Sequence, residues 1–193
     1  IGEFRRRYGE ITLEIKHSNR FVDLVEERFD AAIRISAPLD SSLVMRKLAV
    51  IPMVFCASPE YLLRRGRPRT PADLRDHDCL IYTGSARPQE WQVLGADGRP
   101  EGIAVNGGLR TDNDHTLRQV ALDGGGIVRM PRLFLNEELR NGRLVQLWPD
   151  DIALPVTLAV VYSSRRDLPR KVRAFIDFLV ECRGEWGSFG PSR

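Results

Sequence analysis

The strongest constraint on this chain is the order in which short apolar runs alternate with capped, helix-periodic segments. The run "ITLEIK" at 11–16 sets Ile11, Leu13 and Ile15 against Thr12, Glu14 and Lys16, the period-two pattern of a strand with one buried face. "SNRFVDLVEERFD" then places Val22, Val25 and Phe29 at i, i+3 and i+7 behind a Ser18 or Asn19 cap, which predicts a helix. "AAIRI" at 31–35 is again an apolar strand. Strand, helix and strand in so short a span imply a right-handed parallel crossover.

The same alternation continues. "LVMRKLA" and "MVFCAS" read as two strands split by Pro52, which cannot donate to a ladder. Ser58-Pro59 opens a helix that Gly66 closes, and Thr70-Pro71 with Asp73 repeats the device of a capping hydroxyl, an initial proline and a carboxylate in the first turn. After the strand "CLIYT", the turn pair Asp97-Gly98 joins "EWQVL" and "EGIAVNG" into a hairpin. A helix over "NDHTLRQVALD", capped at Asn113 or Asp114, precedes the strand "IVRMP". A helix around "FLNEELRNG", a buried strand in "LPVTLAVVYS" and a helix after Pro169 carrying Val172, Phe175, Ile176 and Leu179 complete the series, with a loose tail from Gly184. Such alternation predicts an α/β protein with mainly parallel sheets.

Between "ALD" and "IVRMP" stand Gly124, Gly125 and Gly126. A phosphate-binding loop runs strand, glycines, helix, so that the anion meets the positive end of the helix. Here the order is helix, glycines, strand, and the glycines read as a helix stop packed against the sheet.

Composition closes off other classes. The chain has 193 residues, 42% of them hydrophobic, enough for one domain or two small lobes. No apolar run reaches a membrane span, and "IGEFRRRYGE" lacks the order of a signal peptide, so a soluble, unexported chain is expected. Cys56, Cys79 and Cys182 are scattered and odd in number, as for small core residues in a reducing cytoplasm. His17, His77 and His115 lack metal-ligand spacing, Ser163-Ser164 lacks the glycines of a nucleophile elbow, and the adjacent carboxylates Glu26-Glu27, Glu137-Glu138 and Asp150-Asp151 diverge on regular structure. Neither catalysis nor a metal or cofactor is expected. The net charge of +3 rests on short arginine clusters without interleaved aromatics, unlike a nucleic-acid surface.

In α/β sheets ligands bind beyond the carboxyl ends of strands. That rule singles out Ser36, Ala37 and Pro38 after "AAIRI", Thr83, Gly84 and Ser85 after "CLIYT", and Asn113, Asp114 and His115 at the start of a helix. These small, hydroxylated or amide-bearing residues suit a small anionic or polar molecule.

Taken together, "DLVEERFDAAIRI", "CASPEYLLRRGRPRTPADLRDHDCLIY", "ALDGGGIVRMP", Gly142-Arg143-Leu144 with Trp148-Pro149, and "RRDLPRKVRAFIDFL" resemble the effector-binding domain of LysR-type transcriptional regulators, in order and over nearly the whole chain. The resemblance implies two lobes of the type 2 periplasmic-binding-protein kind joined by two crossing strands near "LAVIPMVF" and "AVVYSS". Lobe I would be residues 1–49 and 163–193, and lobe II residues 50–162. A small effector would lie in the cleft between them, lined by Ser36, Ala37, Pro38, Thr83, Gly84, Asn113, His115 and Arg129, with Arg34 or Arg129 pairing a carboxylate. The resemblance further implies a cytoplasmic homodimer or tetramer that meets operator DNA only through an N-terminal winged helix-turn-helix, which this chain does not contain. Against the family pattern the first strand of lobe I is missing, which implies an open groove between 11–16 and 31–35 and incomplete affinity for effector. The rival reading is a solute-binding protein of a transporter, which shares the two-lobe fold.

Overall fold

The computed structural model describes residues 1–18, 23–35, 43–95, 97–148, 152–163 and 168–182. The chain divides into two compact units, residues 1–50 with 156–193 and residues 51–155. The strand that begins at Val156 pairs within the first unit.

Unit 1 is built on a three-stranded sheet of order β1-β10-β2, where β1 is Ala32–Ile35, β2 Leu43–Ile51 and β10 Val156–Ser163. β1 runs antiparallel to β10, with Ala32 opposite Val161 and Ile35 opposite Leu158. The last helix, α5 (Arg170–Glu181), buries Val172, Ile176 and Leu179 at the expected spacing, together with Phe178. The short N-terminal α1 (Gly2–Arg7) inserts Phe4 against Phe175 and Phe178 at centroid distances of 5.1 and 5.3 Å. Arg46 of β2 donates to Asp177 of α5 at 2.8 Å.

Two expectations fail in this unit. Residues 11–16 form no strand: no described segment offers them a ladder, and Ile15 is left 52% exposed. Apolar alternation alone does not supply the hydrogen-bonded neighbour that a strand requires. The segment 23–29 forms a single turn instead of a helix. Asp23 Oδ1 accepts from the backbone N–H groups of Val25 and Glu26 at 2.8 and 3.0 Å, and the Phe29 N–H donates to the Leu24 carbonyl at 2.9 Å, closing the turn. Leu24, not Val25, is the buried residue, and Val22 lies outside the described residues. The parallel crossover expected between 11 and 35 is therefore not formed by the described residues.

Unit 2 follows its sequence closely. Its five-stranded sheet has the order β7-β4-β8-β3-β9, with β3 Met53–Ala57, β4 Cys79–Tyr82, β7 Arg110–Thr111, β8 Ile127–Pro131 and β9 Val145–Gln146. β4 is parallel to β7 and β8, whereas β3 is antiparallel to β8 and β9, so parallel pairing occupies one half of the sheet. One face packs on α3 (Asp114–Leu122) and α4 (Asn136–Arg140) through Val54, Leu80, Leu117, Ala121, Val128 and Leu135. On the other face, the hairpin of β5 (Glu90–Leu94) and β6 (Pro100–Ala104) brings Trp91 to 5.7 Å from Phe55, ring centre to ring centre. Ser58 caps α2 (Pro59–Arg65) by accepting from the Tyr61 N–H at 3.2 Å, and Gly66 ends it with φ 82°. Thr70 and Asp73 form a capping box, on a 3-10 turn over Pro71–Asp76.

The three glycines act as a helix stop. Gly124 has φ 76°, and a Cβ on Gly126 would fall 2.3 Å from the Asp78 carbonyl oxygen. They hold the end of α3 against the entry to β4, at the opposite end of α3 from its capped N-terminus.

Candidate functional site

The parallel pairing of β4 with β7 brings two strand ends together. The Thr83 N–H donates to the Thr111 carbonyl at 2.9 Å, which sets residues 83–85 beside 111–115. Asn113 caps α3: its Oδ1 accepts from the Thr116 N–H at 2.9 Å and lies 3.3 Å from the Thr116 hydroxyl. The Asn113 N–H in turn donates to the Thr111 hydroxyl at 3.1 Å. The Asn113 side-chain oxygen is thus spent on the cap. His115 is exposed in the first turn of α3. A Cβ on Gly84 would lie 2.6 Å from the outer end of the Tyr82 ring, which would have to shift to admit it.

Two carboxylates stand at this end of α3, Asp112 and Asp114. Burial pushes the Asp114 carboxyl up, and the Tyr82 phenol is pushed up by burial and then by the charges of Asp114 and Asp112. Burial thus disfavours the charged form of Asp114, and the two carboxylates disfavour ionisation of the neighbouring phenol.

The cation stands elsewhere in unit 2. Arg129 lies opposite Phe55 in the β3–β8 register, on the face away from the α3 core. One Arg129 Nη2 donates to the Leu154 carbonyl at 3.0 Å, while its Nε is buried without a hydrogen-bond partner. Burial pushes the guanidinium down to about 10, and no charge of a described carboxylate offsets this. Arg34 lies on β1 in unit 1, its guanidinium lowered by burial and raised in part by Asp23. Ser36, Ala37 and Pro38 lie outside the described residues.

Sequence reasoning missed two residues that shape this region. Thr111 sits on a two-residue strand too short to show a pattern. Glu138 of α4, 2% exposed, is ion-paired with Arg118 of α3 and so fixes the helix that carries Asn113 and His115. Burial alone would push the Glu138 carboxyl up, but its hydrogen bond and charge interaction with Arg118 hold it below the usual range. The thiols of Cys56 and Cys79 are pushed up to about 12 by burial and are chemically quiet. Among the described residues no cluster of His, Cys, Asp or Glu could hold a metal ion, and no helix is long and apolar enough to cross a membrane.

Comparison with known proteins agrees with this architecture. Residues 1–183 match the LysR substrate binding domain. The chain is 34% identical over 188 residues to the uncharacterized HTH-type transcriptional regulator YhjC of Escherichia coli K12, covering 96% of this chain and 62% of that one. It is 34% identical over 181 residues to the regulator DmlR of the same organism, covering 93% of this chain and 58% of that one. Among solved structures, the regulatory domain of CrgA from Neisseria meningitidis superposes with a TM-score of 0.75 at 31% identity, covering 93% of this chain and 88% of that one. Full-length AphB of Vibrio cholerae gives 0.77 at 28% identity, covering 94% and 62%. The fold is accordingly the type 2 periplasmic-binding-like fold of these regulatory domains, and the chain spans about 60% of the length of the curated relatives it matches. These matches support the regulator reading over the transporter one.

Proposed function

We propose that this chain, which belongs to the LysR substrate-binding domain family, is the ligand-sensing part of a DNA-binding transcription regulator and takes a small effector bearing a carboxylate. The observation that carries the effector class is Arg129. Its guanidinium is buried, makes one hydrogen bond and has a buried Nε with no partner. Keeping an uncompensated cation in a strand is costly, and a bound carboxylate removes that cost. Thr83, Gly84, Asn113 and His115 would hydrogen-bond the polar remainder of the effector. Effector binding would shift the population of conformations in the whole protein, a cytoplasmic homodimer or tetramer that contacts operator DNA through residues outside this chain. The relatives' description as HTH-type regulators supports the DNA-binding part of this reading.

The test is thermal melting against small carboxylates and their neutral amides at fixed ionic strength. A saturating carboxylate at about 100 times its Kd should raise Tm by about 5–10 °C. Arg129→Met should abolish that rise, and Thr83→Tyr should abolish it without lowering the Tm of the free chain. Equal responses to acid and amide, or a full response in Arg129→Met, overturn the carboxylate reading.

A further inference from the structure

We propose that unit 1 carries a small-molecule site of its own, a cavity of about 230 Å3 between the 24–30 turn and the start of α5, which takes a compact molecule with an apolar body and one negative charge. The proposal is independent of Arg129. Leu24, Phe29 and Val172 give the cavity an apolar lining, with Leu24 and Val172 themselves buried, while Val25 at its wall is 58% exposed.

The turn that shapes this wall has an unusual requirement. Closing it with the Phe29 N–H on the Leu24 carbonyl and the Arg28 N–H on the Val25 carbonyl, at 2.9 and 3.3 Å, puts Arg28 at φ 58°. That left-handed position favours glycine on backbone grounds, since a side chain there is strained. An arginine occupies it instead, and it lines the cavity.

Two charged side chains line the cavity, Arg28 and Asp30. Asp30 lies 3.9 Å from Lys171 of α5, and Lys16, which stands 5.6 Å over the Phe29 ring, lies 3.3 Å from Glu14. Arg28 forms no ion pair with a described residue, so it is the lining charge left to meet an anion. Size then limits the occupant. An enclosed cavity of about 150 Å3 holds a benzene ring, so this larger, partly open one has room for a single ring with a carboxylate.

Benzoate and benzyl alcohol are the probes, with backbone amide NMR of the whole chain as the readout. Benzoate should shift the Phe29, Ser163 and Val172 amides saturably, and benzyl alcohol should do so about tenfold more weakly, the loss expected for one charge-assisted contact. Arg28→Gln should bring benzoate to the level of the alcohol. Val25→Trp should fill the cavity and abolish both, and its exposed starting position makes misfolding avoidable. The proposal is overturned if these amides do not move, if both variants leave the shifts unchanged, or if shifts appear only around 83–85 and 111–115. That last pattern would leave the unit 2 reading standing alone.

Discussion

The two units handle the same kind of sequence pattern differently. In unit 2 the apolar face of each predicted strand meets a helix or the hairpin, and the central strands β4, β8 and β3 each have two hydrogen-bonded neighbours. In unit 1 β1 ends the sheet, and among the described residues nothing pairs with its outer edge. Ile33 and Ile35 of β1 remain 44% and 40% exposed although their spacing is that of a buried face. Periodicity marks which residues are able to be buried; only a neighbour buries them.

The comparison can be broken most strongly from the unit 2 core. Leu117→Ala removes a fully buried side chain of the α3 interface and should cost up to about 5 kcal/mol, seen as a lower denaturant midpoint for Trp91 fluorescence. The matching truncation Ile33→Ala should cost under about 1 kcal/mol. Equal costs would mean that the units do not differ in packing.

Next in size is the strut between α3 and α4. Arg118→Met strands the buried Glu138 carboxylate and should cost about 3 kcal/mol at neutral pH. The native Glu138 carboxyl is held below its unfolded value near pH 4.3, so its contribution is present above that pH and lost as pH falls through the folded value. In Arg118→Met the folded value rises above the unfolded one, and stability should instead increase as pH falls between them. Urea unfolding across pH 3–7 separates the two signs, and an unchanged slope would remove the strut from the account.

Gly126→Ala sharpens the glycine reading. Its Cβ meets backbone, not a flexible side chain, and should cost about 1–3 kcal/mol, whereas Gly108→Ala, with nothing within 4 Å, should be near neutral. The smallest effect belongs to the open edge. Ile35→Lys should change stability by no more than about 0.5 kcal/mol yet reduce any concentration-dependent self-association in sedimentation, because a charged edge strand resists pairing. A large loss of stability would show that Ile35 is covered in solution.

Local chemistry made much of unit 2 legible. The Ser58 and Asn113 caps, the Thr70–Asp73 box and the Asp97-Gly98 hairpin turn each need only a few adjacent residues, and each is found where the sequence puts it. The cluster at 83–85 and 113–115 was within reach for the same reason, since strand ends and helix starts are read locally. The isolation of Arg129 was not, because burial and the lack of a counter-charge depend on Phe55, Leu154 and the strands around it. Nor was the Arg118–Glu138 pair, whose partners come from two different helices. Residues 11–16 carry a clear alternation and still form no strand.

The sequence by itself determined the α/β class, the order of most elements, their caps and the role of the three glycines, all consequences of short-range backbone geometry. Tertiary structure alone decided which apolar stripes are covered, which charges are left without partners and where parallel pairing gives way to antiparallel. Those outcomes depend on residues far apart in the chain, and no local pattern records them.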